Sequence, residues 1–309
     1  MSGRVLVLGS TGRFGAAACE AFRAAGWGVT AQVRPGAAAR APRGTEILET
    51  LDRTAVVGAA RGTDVVVHAL NPRLTSWHKL ALPMAYSAID AAEAAGATLM
   101  FPGNVYNYGS GMPAVLDETT PMRPSSRKGV LRVEIEQRMR EASDRGVRVI
   151  IVRAGDFFGS GRGSWLDLVM AKDLGRGRIT YPGPLDVVHE WAYLPDLVAT
   201  FVRLAAMRDK FGAFETFGFP GHAVTGHAFA AAIAKALHRK FDVKPMLWWL
   251  IHALRPIVPM SRELSELAYL WQEPHAIADG KLKSVIGEVP HTPFDIAVAR
   301  ALRDLGIFR

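Results

Sequence analysis

The stretch RVLVLGSTGRFGAAACEAF, residues 4–22, decides the fold. An apolar run of strand length ends at Gly9, Gly12 and Gly15 follow at three-residue intervals, and an alanine-rich run of helical length begins inside the same window. A strand that turns sharply into a helix through bare glycines lets a pyrophosphate approach the backbone. The helix start then offers unpaired N–H groups and the positive end of its dipole. Dinucleotide binding is expected here, held by Gly9, Thr11, Gly12, Arg13, Phe14 and Gly15, with Ala69 facing the loop from a neighbouring strand end.

Outward from this loop, short apolar runs alternate with alanine-rich segments through the first half of the chain. GVTAQV (28–33), DVVVHAL (64–70), ATLMFPG (97–103) and VRVIIVRAG (147–155) read as strands buried on both faces, the pattern of a parallel sheet. The segments between them stop at Gly26 and Gly96, the residue type that most easily takes the left-handed helix stop. The fold class is therefore α/β, a Rossmann-type doubly wound parallel sheet with a smaller, mainly helical C-terminal lobe. Residues 1–160 form the dinucleotide-binding part and 186–218 return to it; 161–185 and 219–309, the latter punctuated by prolines, form the lobe over the sheet's carboxyl edge.

The chain has 309 residues, 49% hydrophobic and 21% charged, enough for one large domain with an added lobe. Its formal charge of +8 comes from scattered basic residues with no run of five or more among aromatics, which argues against nucleic acid. One cysteine, Cys19, excludes an internal disulfide, and the nine histidines show no metal-ligand spacing. Glycines interrupt the only early apolar run, so no secretory signal is read and a reducing cytoplasm is the expected setting.

At the end of the second strand, where an acid would hold the ribose hydroxyls of NAD, AQVRPG places Arg34. A guanidinium matches a 2′-phosphate by charge-assisted hydrogen bonds, so NADP(H) is the expected cofactor. Arg13 adds positive charge inside the loop. Asp52 stands where an acid could accept the adenine amino group or cap the next helix.

The ordered set GSTGRFG, DVVVHALNP, NVYNYG, DETTPMRP, VRAGDFFGSG and HEWAYLPDL resembles the extended branch of the short-chain dehydrogenase/reductase superfamily, which includes nucleoside-diphosphate-sugar epimerases and dehydratases. The resemblance covers nearly the whole chain. It implies an active-site helix carrying Tyr-x-x-x-Lys, the tyrosine moving the proton on the substrate oxygen and the lysine holding the nicotinamide ribose. This sequence has KGVLR there, Lys128 on the tyrosine position and Arg132 on the lysine position, and it has no tyrosine between Tyr108 and Tyr181. Pro102, Gly103 and Asn104 replace the hydroxyl residues that usually polarise the carbonyl.

Three readings stay open. Lys128 is itself the acid or base, its ammonium weakened by Arg132 and a closed pocket. Alternatively, Arg132 binds the cofactor, Asn104 orients the substrate, and Tyr106, Tyr108 or water supplies the proton. In the third, NADP(H) binds without turnover, as in a redox sensor or scaffold. A nucleotide-sugar epimerase ranks below these because it uses the missing tyrosine. Tyr108, Asp156, Phe157, His189 and Trp191 are expected along the cleft, with His189 a reserve acid or base. Asp196, after Pro195, reads as a helix N-cap. PMLWWLIHALRPIVPM (245–260) is too short to cross a bilayer and reads, in order, as cleft lining, dimer face or membrane-surface contact. The expected activity is NADP(H)-dependent oxidation or reduction of a small, partly apolar carbonyl or alcohol substrate.

Overall fold

Val5, Leu6, Val7 and Leu8 are all fully buried, as a strand covered on both faces requires. The computed structural model describes residues 3–307. In chain order its elements begin with β1 (Arg4–Leu8), α1 (Arg13–Ala24), β2 (Gly28–Val33), β3 (Glu46–Glu49), α2 (Arg53–Ala60), β4 (Val65–His68) and α3 (Trp77–Ala95). Next come β5 (Thr98–Gly103), β6 (Val115–Leu116), α4 (Arg127–Asp144), β7 (Val149–Arg153), β8 (Asp156–Phe158), β9 (Arg178–Tyr181) and β10 (Val188–Tyr193). The rest are α5 (Leu194–Ala206), β11 (Phe214–Gly218), β12 (His222–Thr225), α6 (Gly226–Ala236), β13 (Asp242–Pro245), α7 (Trp248–Ala253), α8 (Pro259–Ser265), α9 (Tyr269–Gln272), β14 (Ala276–Ile277), α10 (Gly280–Ile286) and α11 (Phe294–Asp304).

Seven parallel strands form the central sheet in the order β11-β7-β5-β4-β1-β2-β3. Alternation along β1 divides the core. Val5 and Val7 join Phe14, Phe22 and Phe201 under α1 and α5, while Leu6 and Leu8 join Ile89, Ile135 and Met139 under α3 and α4. This is the doubly wound architecture expected from the sequence. The two edge strands β3 and β11 carry mixed sequences, EILE and FETFG, that apolar periodicity does not reveal. Gly96 does end α3 in the left-handed conformation, at φ 61°.

The C-terminal region contains more strand than its proline-rich sequence suggests. β8, β10 and β12 form a small sheet, β9 pairs with β13, and β6 pairs with β14. A separate aromatic core fills this part, with Phe158, Trp191, Phe229 and Trp271 packed together. Asp196 is a correction to the expected N-cap: Tyr193 occupies that position of α5, and the Asp196 carboxylate accepts from the Thr292 amide and hydroxyl instead. That contact ties the chain before α11 to the first turn of α5.

Candidate active site

Parallel strands deliver Gly9, Asn104 and Asp156 to one edge of the sheet, from the ends of β1, β5 and β7. Gly9 sits at φ 83°, and a Cβ there would lie 2.8 Å from the Ala69 carbonyl. A Cβ on Gly15 would approach the Gly9 carbonyl to 2.3 Å, so only glycine lets α1 start this close to β1. Gln32 fixes the loop from behind. Its Oε1 accepts from the Gly9 amide at 2.9 Å and its own carbonyl accepts from the Ser10 hydroxyl at 2.7 Å. No side chain caps α1 and its first turn has no acid, which leaves the dipole end open to an anion.

This cradle fits a dinucleotide pyrophosphate. Arg34 stands exposed just beyond β2. Asp52 caps α2 through the Ala55 amide at 2.7 Å, so its carboxylate is engaged in helix capping. Arg13 turns away from the loop and donates to the carbonyls of Phe157 (3.0 Å) and Gly159 (3.2 Å). Burial lowers its guanidinium to about 10, against the opposing pull of Asp167 and Asp156. Phe14 packs between Phe157 and Phe201, with ring centroids at 6.0 and 5.1 Å.

Helix α4 begins at Ser126, whose hydroxyl caps Gly129 at 3.0 Å, and a Cβ on Gly129 would meet the Tyr106 carbonyl at 2.4 Å. The close approach brings Lys128 into the interior. Its ammonium does not face Arg132 as the sequence suggested. It pairs with Glu263 and lies 3.6 Å from Glu266, both from the lobe, and Arg127 pairs with the same two carboxylates. Lys128 is thereby held as a tether between α4 and the α8 region.

Arg132, one turn on, points toward the sheet. Its guanidinium lies 4.9 Å from the ring centroids of both Trp77 and Phe101 and donates to the Pro102 carbonyl at 3.2 Å. Its buried Nε has no partner among the described residues, and burial lowers the group to about 10, so it stays charged. A buried, charged donor with an unused N–H fits a polar ligand such as the nicotinamide ribose.

Asn104 uses its side-chain carbonyl to accept from the Tyr106 amide at 3.1 Å. Burial pushes the Tyr106 phenol up, and nearby Asp156 adds to the effect, so Tyr106 stays a neutral phenol that can donate but not act as a base. Tyr108 is buried and donates to the Asp117 carbonyl at 3.4 Å.

Asp156 and His189 form a pair that neither position announced alone. His189 Nε2 lies 2.9 Å from Asp156 Oδ2, and Nδ1 lies 3.2 Å from the Leu270 carbonyl. A carbonyl only accepts, so Nδ1 carries a proton, and the Nε2 contact requires another, on the imidazole or on the carboxyl. The ring stacks flat on Trp271, 4.1 Å away, which fixes its plane. His189 is buried while Asp156 is partly exposed, so Asp156 is the outward end of a proton-sharing pair.

Residues 5–218 match the profile of the NAD dependent epimerase/dehydratase family. The chain belongs to that family. No curated protein matches it. Among solved structures this family member is similar to MoeE5 in complex with UDP-glucuronic acid and NAD, at 18% identity and TM-score 0.76 over 98% of each chain. It is also similar to UDP-glucose 4-epimerase from Thermotoga maritima, at 13% identity and TM-score 0.78 over 97% of this chain and 98% of that one. A third is UDP-N-acetylglucosamine 4-epimerase from Bacillus cereus, at 15% identity and TM-score 0.74 over 97% and 98%. At these identities the likeness shows the fold alone.

Two expectations for this epimerase/dehydratase-family chain need correction. Trp191 is fully buried among Phe229 and Trp271 and belongs to the lobe core, not the cleft wall. The 245–260 stretch does not line the cleft either. Trp248 turns inward, donating to the Pro182 carbonyl, Met246 and Ile251 are half-buried beside it, and residues 252–260 are all exposed. Reading the sequence also missed Gln32, Trp77, Phe101 and the two glutamates. An apolar strand interrupted by a glutamine was the one available signal, pointing to Gln32.

Proposed function

We propose that this protein is an NADP(H)-dependent oxidoreductase for a small carbonyl or alcohol substrate, in which Asp156 and His189 manage the proton and Lys128 does not. The observation that carries this reading is the 2.9 Å contact between Asp156 and His189, backed by the Leu270 carbonyl. A bound nicotinamide would supply or accept the hydride. The glycine loop would hold the pyrophosphate, Arg34 the 2′-phosphate and Arg132 the ribose. In the reducing direction Asp156 Oδ2 would give its shared proton to the substrate oxygen, with His189 as the reservoir behind it; the reverse direction returns the proton to the pair. Trp77 and Phe101 keep water from the Arg132 side.

The test is NADPH oxidation over a panel of aldehydes and ketones by wild type, Asp156→Asn, His189→Asn and Lys128→Met. Asp156→Asn should lower kcat by on the order of a hundredfold, the usual contribution of a positioned acid or base. Lys128→Met should retain most of the turnover per folded molecule. Loss confined to Lys128→Met would sink the assignment.

A second reading has its own support. The residue in the tyrosine's place is locked by two lobe carboxylates, as suits a protein that binds NADP(H) without turning it over. Tight NADPH binding with no turnover on any panel member would favour it. The family's sugar-nucleotide members make epimerisation a third reading, and interconversion of a UDP-hexose by the purified protein would establish it.

A further inference from the structure

We propose that the tip joining α7 and α8 docks this protein onto an anionic phospholipid surface. Seven exposed large hydrophobic residues fall between Leu247 and Met260, among them Trp249 at 68% and Ile257 at 79% exposure. The other exposed large hydrophobics are scattered along the chain. Contiguous apolar exposure of this kind marks an interaction site.

The shape narrows the choice of partner. Trp248 anchors one side by its bond to the Pro182 carbonyl, Ser261 is buried on the other, and every residue from 252 to 260 between them is exposed. The segment is a projection held at its two ends. Pro256 and Pro259 limit its backbone freedom, so little entropy is lost when it inserts. A projecting apolar tip carrying a tryptophan suits the boundary between headgroups and acyl chains, where a tryptophan's apolar body and N–H are both satisfied.

Charge selects the kind of surface. Residues 235–262 contain six lysines and arginines and one acid, Asp242, which pairs with Lys244. Lys235 pairs with Asp295, while Lys240, Arg255 and Arg262 are exposed and have no carboxylate partner among the described residues. Arg255 lies within the tip and Arg262 two residues beyond Met260. Cations beside an inserted apolar group attract anionic headgroups, and each changes membrane partition about fivefold. No helix among the described residues is long and apolar enough to cross a membrane, so the contact would be peripheral.

The test is co-sedimentation of the full chain with vesicles of phosphatidylcholine alone and of phosphatidylcholine mixed with phosphatidylglycerol, together with light scattering of the lipid-free protein. Binding to the mixed vesicles is expected, falling about fivefold in Arg255→Ala and further in Trp249→Ser/Ile257→Ser, whose circular dichroism should match wild type because both side chains are exposed. Quenching by brominated lipid should likewise be lost in Trp249→Ser. Equal sedimentation of wild type and the double variant would overturn the proposal. So would a wild-type dimer that becomes a monomer in the double variant and has no affinity for either vesicle, since the tip would then be a face between copies.

Discussion

Lys128 Nζ and Glu266 Oε2 lie 3.6 Å apart across the seam between α4 and the C-terminal lobe, with Glu263 closing on the same ammonium. The three side chains are almost wholly withdrawn from solvent. Removing one partner from such a group strands the opposite charge. Lys128→Met should therefore cost about 3 kcal/mol in urea unfolding, the usual scale for breaking a buried pair. Lys128→Met/Glu263→Gln should recover much of that. A single-variant loss no larger than that of an exposed pair, below about 1 kcal/mol, would show that Arg127 alone satisfies both glutamates.

Gly15→Ala places a methyl 2.3 Å from the Gly9 carbonyl, and neither backbone can yield without moving α1 off β1. NADPH affinity in a fluorescence titration should fall by at least about tenfold, equivalent to ~1.4 kcal/mol. Gly36→Ala is a control for general damage to this region, because a Cβ there meets nothing within 4 Å, although its φ of 77° carries local strain.

Arg34→Ala should weaken NADPH by about tenfold, within the worth of a charge-assisted hydrogen bond, and leave NADH unchanged. Parallel titrations of the two cofactors check this. Tighter NADH than NADPH binding by wild type would overturn the assignment of Arg34.

Stability should peak just below neutral pH. Burial lowers His68 to about 3, and lowers His222 and His275 to about 4, with Arg132, His291 and His189 adding to the effect at the three sites in turn. Their neutral forms favour the folded state, so stability is complete above the unfolded value of 6.5 and is lost as pH falls toward about 4. Glu190 works in the opposite direction. Burial raises its carboxyl from 4.5 to about 8, so its contribution is complete below 4.5 and is lost as pH rises through about 8. Tm measured against pH should fall on both sides, and Glu190→Gln should flatten the alkaline side only, because the amide can still accept from the Ile277 amide.

The glycine loop and the buried strands were legible because their signals are local. Gly9 and Gly15 are six residues apart and act on each other, and each buried strand states its burial in its own composition. Lys128 was legible as an anomaly but not in its role, because its partners Glu263 and Glu266 come 135 or more residues later in a lobe without sequence periodicity. Asp156 and His189, 33 residues apart on neighbouring strands, become a pair only through the register that sets Trp191 opposite Asp156. Orphaned atoms such as Arg132 Nε depend on three-dimensional packing and leave no trace in the sequence.

Arg13 has a kinetic consequence. It belongs to the glycine loop, yet it holds the carbonyls of Phe157 and Gly159, the two residues flanking Phe158 just after Asp156. Ordering the loop therefore also sets the position of the turn that carries Asp156. Under the proposed activity this predicts a compulsory order, with the dinucleotide first on and last off. Inhibition by the oxidised dinucleotide should then be competitive against the reduced one, and a truncated Arg13 side chain should relax the pattern toward random binding.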